Sequence, residues 1–293
     1  MTTVGLKDSS GGLKDCSGLT RRDQNEFYER QGYLLFKDLL NAAEIAALRS
    51  ALDEVLDEAK GLTTSNDKFI LSQGSNGTRN VRRIVDPIQH HKTFRDTAFH
   101  PRILDAVENL LGANIQIHHS KLNLKPPSSP DARFEWHQDY PFFPHTNYDL
   151  LAVLVHIDEA TTENGALRII PGSHRGGPRR HQFAVDGAFS SKLENQGLVA
   201  DESKWLSVPS PAGGVEMHHC NMLHSSVANR GDKPRSALVF QYRAADNVAL
   251  GGPMDGLSFG MMVRGVNPNR ARMLDGTVIE LPGEIEDPLQ RNG

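Results

Sequence analysis

The sequence predicts a mainly β protein, an antiparallel barrel or jelly roll with helices packed on its outside. Helical segments come early, from Thr20, from Asn41 and over Pro101–Leu111. The texture then changes to short alternating runs at residues 114–124, 150–157, 166–170, 214–217 and 236–242, divided by KPPSSP, PGSHRGGP, SPAGG and NRGDKP. Short alternating strands, split by Pro and Gly turns with no helix between them, argue against a parallel α/β sheet. A chain of 293 residues has the length of one such barrel with its helices.

Residues 5–11 (GLKDSSG) and 12–18 (GLKDCSG) are a tandem heptad copy. A segment so rich in Gly, Ser, Lys and Asp is expected to be a flexible tail over residues 1–19, with residues 20–293 forming one domain. In TRRDQNEFYERQG, Phe27 and Tyr28 stand on a charged background and Gly32 is the stop, followed by a strand-like YLLF. Asn41 with Glu44 three residues on starts the next helix, and Ile45, Leu48, Leu52, Val55 and Leu56 share one face of it up to Gly61. PRILDAVENLL is a third helix, closed by Gly112. Residues 176–206 show little periodicity, and a long insertion in a barrel is expected to be a lid over a site.

Lys plus Arg (32) does not exceed Asp plus Glu (36), so no nucleic-acid surface is expected. Two cysteines, Cys16 and Cys220, make no disulfide framework and favour a reducing compartment. The N-terminus lacks the apolar core of a signal peptide, and the longest aliphatic run, residues 150–155, is too short for a bilayer. A cytoplasmic protein is expected, with no membrane partner and no obligate protein partner.

Chemistry enters with the stretch EWHQDY, residues 135–140. On a strand, residues two apart point to the same side, so His137 and Asp139 could reach one ion. A further histidine would complete the two-histidine, one-carboxylate set of non-haem iron oxygenases. The candidates are His156, His174, His181, His218, His219 and His224. His224 is favoured by its setting, since LHSSVANRGDKPRSAL reads as strand, turn, strand with Arg235 eleven residues on. A forked, permanently charged guanidinium suits a carboxylate.

Together with YLLFKDLL, SKLNLKPP and ENGALRIIPGSHRGG, these stretches resemble, in order, the phytanoyl-CoA dioxygenase family of Fe(II)/2-oxoglutarate oxygenases. The resemblance implies a double-stranded β-helix, the cupin-like jelly roll, with helices outside. It implies that His137, Asp139 and His224 hold Fe(II), that Arg235 takes the distal carboxylate of 2-oxoglutarate, and that Ser226 bonds beside it. It sets Gln138, Lys121 and Asn123 around the co-substrate. The co-substrates it implies are 2-oxoglutarate and O2, with ascorbate as an accessory reductant. The expected reaction is hydroxylation or a related oxidation of a small or medium-sized metabolite, such as a natural-product intermediate, with release of succinate and CO2. Relatives that halogenate lack the carboxylate, so Asp139 argues for a hydroxylase.

For the substrate, Tyr140, Phe142 and Phe143 are candidate apolar walls, Arg83 a candidate at the site mouth, and Arg179, Arg180 and His181 candidate grips for an acidic group. Two other classes remain open from sequence: a cupin-like metal-binding module without oxygenase activity, and a hydroxylase of protein side chains.

Overall fold

The helix ends fall where capping residues put them. In the computed structural model, which describes residues 13–73, 79–127, 132–182, 192–252, 254, 256 and 258–282, α1 spans Arg21–Gln31. Thr20 accepts from the Asp23 amide at its start, and Gly32, at φ 80°, ends it. Asn41 and Glu44 form a reciprocal capping box on α2 (Ala42–Asp57). That helix stops short of Gly61, because the amides of Ala59 and Lys60 reach only three residues back, to Leu56 and Asp57. Two more helices follow, α3 (Lys92–Ala98) and α4 (Pro101–Leu111).

The principal strands in chain order are β1 (Tyr33–Phe36), β2 (Phe69–Gln73), β3 (Arg79–Val85), β4 (Ile115–Lys125), β5 (Phe134–His137), β6 (Leu150–His156) and β7 (Leu167–Ile169). After them come β8 (His181–Gln182), β9 (Lys192–Leu193), β10 (Leu206–Val208), β11 (Val215–His219), β12 (His224–Ser226), β13 (Arg235–Ala244) and β14 (Met262–Arg264). The larger sheet has eight strands in the order β1-β11-β6-β13-β4-β3-β2, with β14 added on β4. The smaller has four, β10-β7-β12-β5. The two sheets form the expected double-stranded β-helix. The β2–β3 hairpin and α3 were not expected: arginines break the apolar alternation of RNVRRIV, and seven residues are too few for a helical period to show.

The main apolar core lies outside the barrel, between the helices and the back of the larger sheet. Phe27, Leu48, Val55 and Val107 of the helices are buried in one cluster with Leu122, Val153, Leu238 and Phe240 of the sheet. Strand alternation then sends the neighbouring residues inward. On β13 these are Arg235, Ala237, Val239 and Gln241, and register sets the last three against Asn123, Lys121 and His119 of β4. The inner face is therefore largely polar and holds the site.

The N-terminal expectation needs correcting. The first heptad copy lies outside the described residues, but the second joins the fold. Cys16 is fully buried, and its amide donates to the Leu35 carbonyl at 2.7 Å. Leu13 and Leu19 pack on the same core. Deleting residues 1–19 is expected to cost about 3 kcal/mol and to lower Tm by roughly 5–10 °C. A melting curve identical to that of the full chain would contradict this packing.

Candidate active site

Register in the smaller sheet sets His137 directly opposite His224. Cross-strand partners bring their Cβ atoms to about 5 Å, and the two rings sit 4.1 Å apart. His137 Nδ1 donates to the Glu135 carbonyl at 2.7 Å, and His224 Nδ1 to the Met222 carbonyl at 2.9 Å. These contacts put the protons on Nδ1 and leave both Nε2 atoms as electron-pair donors.

Asp139 arrives by a turn and not, as expected, along a strand. β5 ends at His137, while Asp139 has φ −75° and ψ −40° and leads into a short helical turn at Tyr140–Phe142. Its amide and that of Tyr140 both donate to the Cys220 carbonyl at 3.0 Å. Asp139 Oδ1 comes to lie 4.0 Å from His137 Nε2 and 3.8 Å from His224 Nε2. The three residues are buried, with one donor atom of each within 4.8 Å of the others, so one ion can be shared among them. Burial pushes the imidazole of His137 down to about 4 and that of His224 well below its usual range, which keeps both neutral, as metal ligands must be.

The other oxygen of Asp139 faces the larger sheet. Gln241 Nε2 donates to Oδ2 at 2.6 Å, and His218 Nε2 lies 3.5 Å from it. His218 Nδ1 in turn sits 3.1 Å from the fully buried Glu216. Burial alone would lower His218, but Glu216 and Asp139 raise it to about 9 and so keep it charged. Burial alone would likewise raise Asp139, but the charged His218 and Lys121 hold it well below the usual carboxylate range.

The other histidine candidates have other places. His218 lies across the barrel, toward Oδ2 and not Oδ1. His219 accepts the Asn221 amide, His174 contacts the Glu29 carbonyl, and His156 is buried on β6 beside Arg235. His224 and Arg235 are not hairpin partners, because β12 belongs to the smaller sheet and β13 to the larger. The arginine thus lies in the sheet across the barrel from the two imidazoles.

Arg235 is a buried cation with no ion-pair partner among the described residues. Its side chain is 3% exposed, one terminal nitrogen donates to the Gly165 carbonyl, and its Nε has no partner among the described residues. Burial lowers it to about 10. Residue 165 must be glycine, at φ 92°, since a Cβ there would fall 2.5 Å from the Val227 carbonyl and 2.9 Å from Lys125 Nζ. Ser226 Oγ accepts from Lys125 Nζ at 2.8 Å, which leaves its own O–H to donate. Lys125, which sequence reasoning missed, is 1% exposed and also bonds the Val227 carbonyl.

A cavity of about 500 Å³, its mouth included, runs between the sheets. The three metal-site residues, Ser226 and Arg235 line it, and so do Arg83, Lys121, Asn123 and Phe134. Arg83 Nε donates to Asn123 Oδ1 at 3.1 Å. Burial lowers Arg83 to about 10 and Lys121 to about 8.

Several expected residues stand outside this lining. Gln138, next to Asp139 in the chain, turns the other way: it is fully buried, donates to the carbonyls of Gly177 and Asn221, and accepts from the Arg179 amide. Its amide is used to fasten the loop. His181 uses both ring nitrogens, one on the Gln138 amide and one on the Arg179 carbonyl, and Arg179 and Arg180 are exposed. Tyr140 bonds the His145 carbonyl, Phe143 packs on His118 and His119, and Phe142 is edge-on to His137 at 6.0 Å. Of the expected lid, residues 183–191 lie outside the described residues. Leu193, Val199 and Trp205 pack instead on Trp136 and Leu223, a cluster separate from the cavity.

A jelly roll that gathers two neutral imidazoles and a carboxylate, with a buried unpaired arginine in the facing sheet, defines the facial-triad class of non-haem iron oxygenases. A family model described as phytanoyl-CoA dioxygenase matches residues 28–237. A probable alpha-ketoglutarate-dependent hypophosphite dioxygenase of Stutzerimonas stutzeri is 31% identical over 276 residues, covering 92% of this chain and 94% of the relative. An ectoine dioxygenase of Bordetella parapertussis is 28% identical over 258 residues, covering 80% and 79%. The solved structure of EctD from S. alaskensis with bound Fe superposes with a TM-score of 0.64 at 23% identity, covering 80% of each chain. The chain belongs to the phytanoyl-CoA dioxygenase family and is an iron- and 2-oxoglutarate-dependent dioxygenase.

Gln241→Leu removes the bond that orients Asp139. It is expected to weaken Fe(II) or Co(II) binding by about 10- to 100-fold, measured by chelator competition. Unchanged affinity would show that Gln241 does not position the carboxylate.

Proposed function

We propose that this dioxygenase hydroxylates a small metabolite at a site built from His137, Asp139, His224, Ser226 and Arg235. The observation that carries the reading is the pairing of a neutral three-donor set with a buried, unpaired guanidinium in one cavity. A metal-binding module has no use for that guanidinium. The balanced reaction converts a substrate R–H, 2-oxoglutarate and O2 into R–OH, succinate and CO2. Bound iron supplies the redox chemistry of that conversion.

The protein's own groups position and neutralise. His137 and His224 present Nε2, their rings fixed by the carbonyls of Glu135 and Met222. Asp139 presents Oδ1 while Gln241 occupies Oδ2. Arg235 and the Ser226 hydroxyl would take the distal carboxylate of 2-oxoglutarate. The relatives are named for hypophosphite and ectoine, both compact molecules, and a cavity at the low end of ligand-pocket sizes suits a compact substrate.

We place the protein in the cytoplasm. Both cysteines are free and buried, which suits a reducing compartment, and no helix among the described residues is long and apolar enough to cross a membrane.

Anaerobic addition of Fe(II) and 2-oxoglutarate should produce a weak visible charge-transfer band. Arg235→Lys should raise the 2-oxoglutarate concentration needed by about tenfold or more with iron affinity little changed, because an ammonium cannot form two parallel bonds. Absence of the band in the wild-type protein would refute the reading.

A further inference from the structure

Of the candidate histidines, only His156 leaves both ring nitrogens without a hydrogen-bond partner among the described residues, although it is fully buried on β6. Burial, with the Arg235 guanidinium nearby, pushes its imidazole down to about 3. The ring is therefore neutral and carries one N–H and one lone pair. Arg235 is in the same condition, with its Nε–H unbonded. Two neighbouring buried donors without an acceptor are costly, and the fold gives neither one a protein partner.

Register puts the two side by side. His156 pairs with Ala237 on β13, and Arg235, two residues earlier on the same face, is its diagonal neighbour, at roughly 7 Å. Leu154, the previous inward residue of β6, lines the cavity, and so does Asn123, which pairs with Ala237 from the other side. His156 thus stands just behind the lining, at its Arg235 end. Its strand neighbours leave it room. Ala237 adds only a methyl group, and Gly214, whose carbonyl accepts the His156 amide, has no side chain. Ser226, with its own O–H free to donate, lines the cavity from the facing sheet.

We propose that His156 is a co-substrate-binding residue, whose ring N–H joins Arg235 and Ser226 on the distal carboxylate of 2-oxoglutarate. This rests on the 2-oxoglutarate reading above. A carboxylate offers about four acceptor positions, so the imidazole, the guanidinium and the hydroxyl bond it without competing. The third donor also sets specificity: a 2-oxo acid without that carboxylate leaves both buried donors unpaired and is rejected for it.

The test uses the full chain with Fe(II) under anaerobic conditions, its visible band titrated with 2-oxoglutarate and with 2-oxopentanoate. The second ligand has the same carbon chain and keto-acid end but no distal carboxylate. In His156→Leu, half-formation of the band should need a 2-oxoglutarate concentration about tenfold higher or more. The 2-oxopentanoate titration and the Fe(II) affinity from chelator competition should stay within about threefold of wild type. His156→Gln, which keeps an N–H, should recover part of the loss. An equal loss on both 2-oxo acids overturns the proposal, because it leaves the imidazole a packing role only. So does a 2-oxoglutarate titration that His156→Leu leaves unchanged. If His156→Leu does not fold, His156→Phe, closer to imidazole in shape, takes its place in the same two titrations. Failure of the band to form with the wild-type protein and 2-oxoglutarate would instead remove the underlying cofactor reading.

Discussion

The hydrogen bond from Gln241 to Asp139 joins the two sheets at the point where the chemistry is assembled. Asp139 belongs to the turn after β5 in the smaller sheet, and Gln241 to the middle of β13 in the larger. At 2.6 Å the amide occupies Oδ2 and leaves Oδ1 toward the imidazoles. Without it the carboxylate could rotate toward His218 and present the wrong edge. With it, one buried anion organises His137, His224 and His218, whose rings otherwise bring only desolvated nitrogens together. The turn is held from behind as well: Cys220 accepts two successive amides, and Gln138 reaches the carbonyls of Gly177 and Asn221.

A site this polar can occupy the middle of the barrel only because the barrel is stabilised elsewhere. In a sandwich whose two inner faces met, the region between the sheets would be the core. Here α1, α2 and α4 cover the back of the larger sheet, and the largest apolar cluster lies there. Each strand of that sheet therefore has two solvated or packed duties. Leu238, Phe240 and Tyr242 of β13 face the helices, while Arg235, Val239 and Gln241 line the cavity. Tyr242 makes the division visible, its hydroxyl reaching the Ala98 carbonyl on the helix side.

Much of this was legible because it depends on local periodicity. The strands at residues 114–124, 150–157 and 236–242 and the helix at Pro101–Leu111 were found from alternation and caps, within a residue or two of their observed bounds. The same alternation held information left unread. His119, Lys121, Asn123 and Lys125 alternate with Leu122 and Leu124, and Arg235 and Gln241 are six residues apart on one face. Reading that period to the end would have found Gln241 and Lys125. What sequence could not supply was sheet membership. LHSSVANRGDKPRSAL has every mark of a hairpin, yet its two strands go to different sheets, because β12 finds β5 and β7 as partners and β13 finds β4 and β6. Gln138 could not be placed for a similar reason: its partners Gly177, Arg179, His181 and Asn221 lie about forty residues away or more, in segments without periodicity.

That crossover explains why a cationic pocket is tolerable. Had His224 and Arg235 been hairpin neighbours, the metal and the guanidinium would have shared one wall, with like charges pressed together and no room for an anion between them. On opposite sheets they face each other across the cavity, and a dicarboxylate can bridge the gap with one end on each. A dianion bound there would replace one repulsion with two attractions, and the low dielectric of the interior would strengthen both. Lys125, on the neighbouring strand, is kept off the cavity by Ser226 and the Val227 carbonyl, and burial among the arginines lowers it well below the usual lysine range, so it does not compete with Arg235 for the ligand. Lys121, four residues back on the same strand and without an ion-pair partner among the described residues, lines the cavity itself and extends positive potential along β4.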